Sequence, residues 1–210
     1  MAYRALIPVK MLSEAKSRLS PYLTAQQRAE LVLDMLHHVI DTLRESEALA
    51  AISVVSPDTS VLQQAQRWGA HALQEEVCGH NPALTAAARR ELIMGATALL
   101  TISADLPLLR TSDIQHMIEQ SRRYAIVLAP SHDGNGTNGL LVRPPLVLPY
   151  VFGPGSLHRY LAEARQRHLS STLYNNTHTS LDIDTIEDLT LLQHLGARLT
   201  NYPGAIVNGH

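Results

Sequence analysis

The chain has 210 residues, 45% of them apolar, and a formal charge of −2 at neutral pH; that is enough for one domain with a sizeable core, with no global pull towards nucleic acid or an anionic membrane. No run reaches the roughly 18 apolar residues of a membrane span, and the short apolar start, interrupted by Pro8 and Lys10, lacks the shape of a signal peptide. The lone Cys78 leaves neither an internal disulfide nor a Cys-x-x-Cys zinc site, so a cytoplasmic protein is expected.

Residues 3–9 (YRALIPV) read as a strand that runs into a loop rich in Lys, Ser and Arg. Val32, Leu36, Val39, Ile40 and Leu43 recur at helical spacing and predict a long helix over 24–45, with Thr24 at its cap. AAISVVS, 50–56, suits a buried strand. A helix follows between the turn at Pro57 and Gly69, and a short strand is expected near 71–73. The next helix is expected over 82–94, with Asn81 at its cap and Gly95 at its end.

ALLTISA, 98–104, reads as another buried strand, ending at Asp105. TSDIQHMIEQS is a capped helix and YAIVLAP a strand. After SHDGNGTNG, GLLVR reads as a short strand; 156–168 and 185–195 read as helices. A single domain is expected over 1–199, with a loose polar tail over 200–210. Alternating strands and helices imply a three-layer α/β domain with a mainly parallel sheet. In such sheets ligands bind beyond the carboxyl ends of the strands.

Several strand ends carry polar chemistry. Lys10, Lys16 and Arg18 cluster after the first strand, where they could hold phosphate oxygens or form a solvated basic loop. Walker-type glycines are missing there. Asp105 follows an apolar strand and is either a magnesium ligand or a turn former. The glycines of DGNGTNG allow an anion-binding nest or a hairpin. In FGPGS, Gly153, Gly155 and Ser156 precede a helix whose start can grip an anion, Ser156 also being a natural N-cap.

SLDIDTIEDL places Asp182 and Asp184 two apart, on one face of an extended segment. Thr185 and Asp188 make a capping box for the following helix, which leaves Asp182 without a role. With Asp105, the two aspartates suggest a Mg²⁺ site of oxygen ligands completed by water and substrate phosphates. The eleven histidines lack metal-ligand spacing, and one Phe and one Trp are too few for a base-stacking nucleic-acid surface.

The ordered set IPVK, AKSRLSP, HNPAL, ADLPLL, GTNGLLVRPP, FGPGS and DIDTIEDL resembles the guanylyltransferases that activate a small phosphorylated acid in the biosynthesis of the deazaflavin coenzyme F(420). That resemblance implies a Rossmann-like fold of the nucleotide-diphospho-sugar transferase type. It implies a reaction in which GMP from GTP joins the phosphate of 2-phospho-L-lactate, phosphoenolpyruvate or 3-phospho-D-glycerate, with release of pyrophosphate. A downstream deazaflavin-transferring enzyme would then be a partner.

Carried over by motif, Asp105, Asp182 and Asp184 would hold Mg²⁺, and Thr137, Asn138, Gly153 and Ser156 would contact the acid. Lys10, Lys16 and Arg18 would face the triphosphate and Asn81 the nucleoside, with the catalytic work falling to Asp105, Lys16 and Arg18. The chain departs from the family's pattern at Gly139, where alanine is common, at Asn135, which stands between two glycines, and at Gly79-His80, where Gly-Leu is common. These departures bear on substrate choice. The alternatives are a same-fold transferase for a sugar phosphate or molybdopterin, and a catalytically silent GTP-binding domain. The apolar helical faces would permit a homodimer.

Overall fold

Adjacent residues of the central strands enter different cores, as the two-residue period of an extended chain demands. Leu99 packs on one side of the sheet and Leu100 on the other; Leu6 and Ile7 divide in the same way. Strands buried on both faces are near-continuous in apolar residues, which is why they were legible as runs rather than alternations.

The computed structural model describes residues 1–75 and 77–195. Its strands are β1 (Tyr3–Pro8), β2 (Ala51–Ser56), β3 (His71–Gln74), β4 (Ala98–Ile102), β5 (Ile126–Pro130), β6 (Thr137–Val142) and β7 (Ser171–Leu173). They form one sheet in the order β3-β2-β1-β4-β6-β5-β7. All neighbours are parallel except β6, which runs antiparallel to both β4 and β5. The expected mainly parallel sheet is the one found.

The helices are α1 (Ala25–Glu45), α2 (Thr59–Arg67), α3 (His80–Ile93), α4 (Thr111–Ser121), α5 (Ser156–Gln166), α6 (Thr177–Ser180) and α7 (Ile186–His194). One core joins the sheet to α1, α2 and α4, and the other joins it to α3 and α5. A third, smaller cluster ties Leu19, Leu31 and Met35 to Leu181, Ile183 and Leu189. It seats the 181–184 stretch beside the first-strand loop.

Three local readings change. The cap of α3 is Gly79, with φ 103°, so Asn81 lies in the first turn. Gly79 adopts that angle without a Cβ penalty, and Pro82 then falls within the first turn, where its missing N–H costs nothing. Gly155, with φ 73°, caps α5, and Ser156 is its first helical residue. Strand β6 begins at Thr137, two residues earlier than expected. Elements β7 and α6 were not anticipated, being three and four residues long, too short to show a period. The tail over 200–210 lies outside the described residues.

Gly139 faces the α4 side of the sheet. A Cβ there would stand 3.1 Å from Ala129 Cβ and 3.4 Å from Met117 Cε. Gly139→Ala is therefore expected to overpack, with a net loss of about 1 kcal/mol once the entropy of removing a glycine is offset. Denaturant unfolding checks it, and adding Ala129→Gly should restore stability; a Gly139→Ala variant as stable as its parent would contradict the packing.

Candidate active site

A cleft of about 390 Å³ opens over the carboxyl ends of β1 and β4. Its basic wall is the loop after β1, fixed by the Leu12 N–H donating to the Asp58 carboxylate at 3.0 Å and by Arg28 donating to Leu23 O at 3.0 Å. Within this loop Lys16 has φ 52° and ψ 41°, the left-handed region. That conformation costs a non-glycine residue about 1–3 kcal/mol and persists only where surroundings enforce it.

The Lys16 side chain lies inward and is 8% exposed. Its ammonium donates to the Asp105 carboxylate and, at 2.9 Å, to Asp184 Oδ1. Burial works against this charge, but the two carboxylates outweigh burial and hold the Lys16 ammonium above its ordinary pKa. Lys10 and Arg18 are exposed on the same wall.

The acidic wall comes from two places. Asp105 follows β4. Asp184 comes from the 181–184 stretch, which is in no sheet; Leu181 and Ile183 alternate into the third cluster, and Asp182 of the same stretch does not line the cleft. The Ile183 N–H donates to Asp105 O at 3.2 Å, which brings that stretch alongside Asp105. Asp184 is pushed up by burial and pulled further down by Lys16, Arg18 and Lys10, so it stays below the usual carboxylate range.

Asp182 differs from its neighbour. Burial first, then the Asp105 and Asp184 charges, push its pKa up to about 6, although Asn138 offsets part of this by donating to its Oδ1 at 3.0 Å. The capping box of α7 is present as expected, with the Asp188 carboxylate accepting from the Thr185 N–H at 2.7 Å. It also accepts from the Asp184 N–H at 2.9 Å, so the cap helps place the carboxylate that lines the cleft.

These donors can be matched to a divalent cation. Among the described residues no three acidic, His or Cys side chains converge on one point. The three-aspartate set is therefore not drawn together, because Lys16 lies between Asp105 and Asp184 while Asn138 holds Asp182. Two carboxylates nevertheless already address one positive centre, while burial first and then their negative charge raise the third. Mg²⁺ commonly takes one or two carboxylates and fills its shell with water and phosphate oxygens. The donor set fits that pattern.

The residues expected on the acid side gather beside the cleft without lining it. Ser156 OH donates to Thr137 Oγ1 at 3.1 Å, and both residues are buried. Asn138 is also buried. Its amide donates to Thr179 O, Ser180 O and Asp182, so it braces the acidic stretch. The Ser156 and Leu157 N–H groups at the start of α5 are taken by Gly153 O and Asn135 O.

DGNG resolves as a hairpin between β5 and β6. Asp133 closes it by accepting from the Ser131 OH and from the Asn135 and Gly136 N–H groups, so its own carboxylate occupies the nest. Asn81 is engaged as well: its amide donates to Phe152 O at 3.1 Å and accepts from the Phe152 N–H at 2.9 Å. It clips α3 to the FGPGS segment, while its neighbour His80 faces the cleft.

Sequence reasoning placed the Gly79-His80 departure near the pocket but gave His80 no role of its own. Its ring meets Phe152 edge-on at 5.9 Å. Burial, then the Lys10 charge, hold the imidazole below its ordinary pKa. Phe152 and the α1 residues Val32 and Met35 complete the apolar part of the wall. No local signal marks them, since each reaches the cleft through tertiary packing.

A sequence model of the family described as Guanylyl transferase CofC like matches residues 3–202. The phosphoenolpyruvate guanylyltransferase of Rubrobacter xylanophilus is 41% identical over 197 residues, covering 93% of this chain and 96% of that protein. The 2-phospho-L-lactate guanylyltransferase of Methanothermobacter thermautotrophicus is 34% identical over 188 residues, covering 88% and 81%. A solved structure from Desulfovibrio desulfuricans G20, described as a nucleotide-diphospho-sugar transferase, aligns with TM-score 0.79 at 16% identity, covering 93% of this chain and 88% of that one. At that identity it speaks for the fold alone, which is the Rossmann-like architecture expected.

Proposed function

The chain belongs to the CofC-like guanylyl transferase family and is a nucleotidyltransferase, and from that premise we propose that it joins GMP from GTP to a small phosphorylated acid. Phosphoenolpyruvate is the first candidate, because the relative at 41% identity bears that name; 2-phospho-L-lactate is the second. The activated product would serve coenzyme F(420) assembly. The observation that carries the reading is the facing of Lys10, Lys16 and Arg18 against Asp105 and Asp184 across one cleft at the sheet's carboxyl edge.

In the reaction a phosphate oxygen of the acid forms a bond to the α-phosphorus of GTP. The bond from that phosphorus to the bridging β-oxygen breaks, and pyrophosphate departs with the electron pair. The attacking oxygen is already anionic, so no strong base is needed. Alignment and neutralisation of phosphate charge are.

Lys10, Lys16 and Arg18 meet the triphosphate charge as cations, Lys16 being firmly charged by its carboxylate partners. Asp105 and Asp184 would hold Mg²⁺, with Asp182 beside them. When bound, the ion would neutralise phosphate oxygens and act as a Lewis acid. Thr137 and Ser156, with Gly153 before them on the α5 approach, would seat the acid, and Asn138 would keep the acidic stretch in place. Among the described residues no helix is long and apolar enough to cross a membrane.

The test is pyrophosphate release from GTP with Mg²⁺ and each of phosphoenolpyruvate, 2-phospho-L-lactate and 3-phospho-D-glycerate, with mass detection of the product. Turnover with phosphoenolpyruvate is expected. Folded protein that is silent with all three acids would sink the reading and favour a sugar-phosphate acceptor or a silent nucleotide binder.

A further inference from the structure

Beside the main cleft lies a second cavity of about 150 Å³. Both are lined by Pro8, Val9, Lys10, Glu14 and His80, so the two are neighbouring chambers over one sheet edge. The smaller chamber stands over the ends of β1, β2 and β3, away from the aspartates. Val9, Val55, Ala83 and Leu84 give it a buried apolar lining, a surface suited to the face of a flat ring.

Glu75 also lines this chamber. It directly follows β3, and its N–H donates to Ser56 O at 3.0 Å, which pins the residue to the neighbouring strand. Its side chain is half-buried, and its carboxylate has no hydrogen-bond or ion-pair partner among the described residues. A partly buried carboxylate without a protein partner keeps its acceptor oxygens available to a ligand's donors. Glu14, the other acid at this chamber, is exposed at the shared rim.

We propose that this chamber takes the purine of the nucleotide and that Glu75 selects guanine. An ionised carboxylate is an acceptor-only group with two oxygens in one plane. Guanine presents two adjacent donors, its ring N1–H and its 2-amino group, that such a fork can take bidentately. Adenine has an acceptor at N1 and no 2-amino donor, so it would leave the carboxylate facing a lone pair. The inference rests on the reading of GTP as the nucleotide donor, and adds to it the residue that discriminates the base.

Displacement of a fluorescent N-methylanthraniloyl-GTP by GTP, inosine triphosphate and ATP tests it. Inosine triphosphate lacks only the 2-amino group. Wild type should prefer GTP over inosine triphosphate by about tenfold to a hundredfold, the range for a hydrogen bond to a charged group. Glu75→Ala should bring that ratio close to one by weakening GTP, whereas Glu14→Ala should keep it. Glu75→Gln, whose amide puts an NH2 donor where the carboxylate had its second acceptor oxygen, should also lose it and guards against a folding defect in the alanine variant.

A ratio retained in both Glu75 variants overturns the assignment, as does a wild type that binds GTP and inosine triphosphate equally. Pyrophosphate release is measured in parallel. A Glu75-dependent ratio in protein that transfers GMP to none of the acids leaves the base assignment standing and sinks the transfer reading. Normal transfer with an unaltered ratio does the reverse. Protein that binds no nucleotide overturns both.

Discussion

Asp184→Asn should yield a folded protein that turns over at no more than about a hundredth of the wild-type rate, the loss typical when one preorganised electrostatic group is removed from a site of charge transfer. Asp184 is the carboxylate best prepared for a cation. Lys16, Arg18 and Lys10 keep it ionised despite burial, and the α7 cap holds its backbone through Asp188. The substitution preserves shape while removing the charge. Asp182→Asn should fall as far if that residue joins the ion, even though its carboxyl sits higher in pKa and is tied to Asn138.

The measurement is pyrophosphate release as a function of Mg²⁺ concentration, with circular dichroism to confirm the fold. A variant that has lost an ion ligand should need more Mg²⁺ than wild type to reach its own maximum. Near-native turnover at low Mg²⁺ would remove that aspartate from the ligand set. Equal loss at every Mg²⁺ concentration would make Asp184 a partner of Lys16 only.

Glu91→Ala should cost about 3–5 kcal/mol of stability, because it strands a buried guanidinium. The Glu91 carboxylate, from α3, accepts from Arg4 Nε of β1 and from the Ser53 OH of β2. Arg4 and Glu91 are 8% and 2% exposed, so little water can replace the lost partner. For a chain of this size the expected fall in Tm is roughly 10 °C.

Replacing both partners by apolar residues, Arg4→Met with Glu91→Leu, should recover most of the loss. A buried pair contributes little beyond a hydrophobic isostere, while half a pair is costly. Thermal unfolding of the two single variants and the double variant decides the matter. If Glu91→Ala lost less than about 1 kcal/mol, the network would not brace α3 against the sheet as described.

The elements were legible where the signal is local. Thr24 and Thr185 cap α1 and α7 through bonds spanning three residues. The alternation of Leu181, Asp182, Ile183 and Asp184 told which side chains leave the core, and that holds although the stretch joins no sheet. The residues of the two facing walls, Lys10, Lys16 and Arg18 against Asp105 and Asp184, could also be named, because each follows an apolar strand or precedes a capped helix.

What those residues do to one another was decided elsewhere. Lys16 and Asp184 are 168 positions apart and meet only because the third cluster packs 181–184 beside the first-strand loop. Asn81 reaches Phe152 across 71 positions, and that clip left His80 rather than Asn81 facing the cleft. The hairpin spends its N–H groups on Asp133, and Glu75 reaches the second chamber because β3 lies at the end of the sheet order. A cap or a period is a relation among neighbours that every homogeneous stretch of chain expresses. A hydrogen bond between strangers depends on which strands pair, and that pairing is settled by burial of the whole sheet at once.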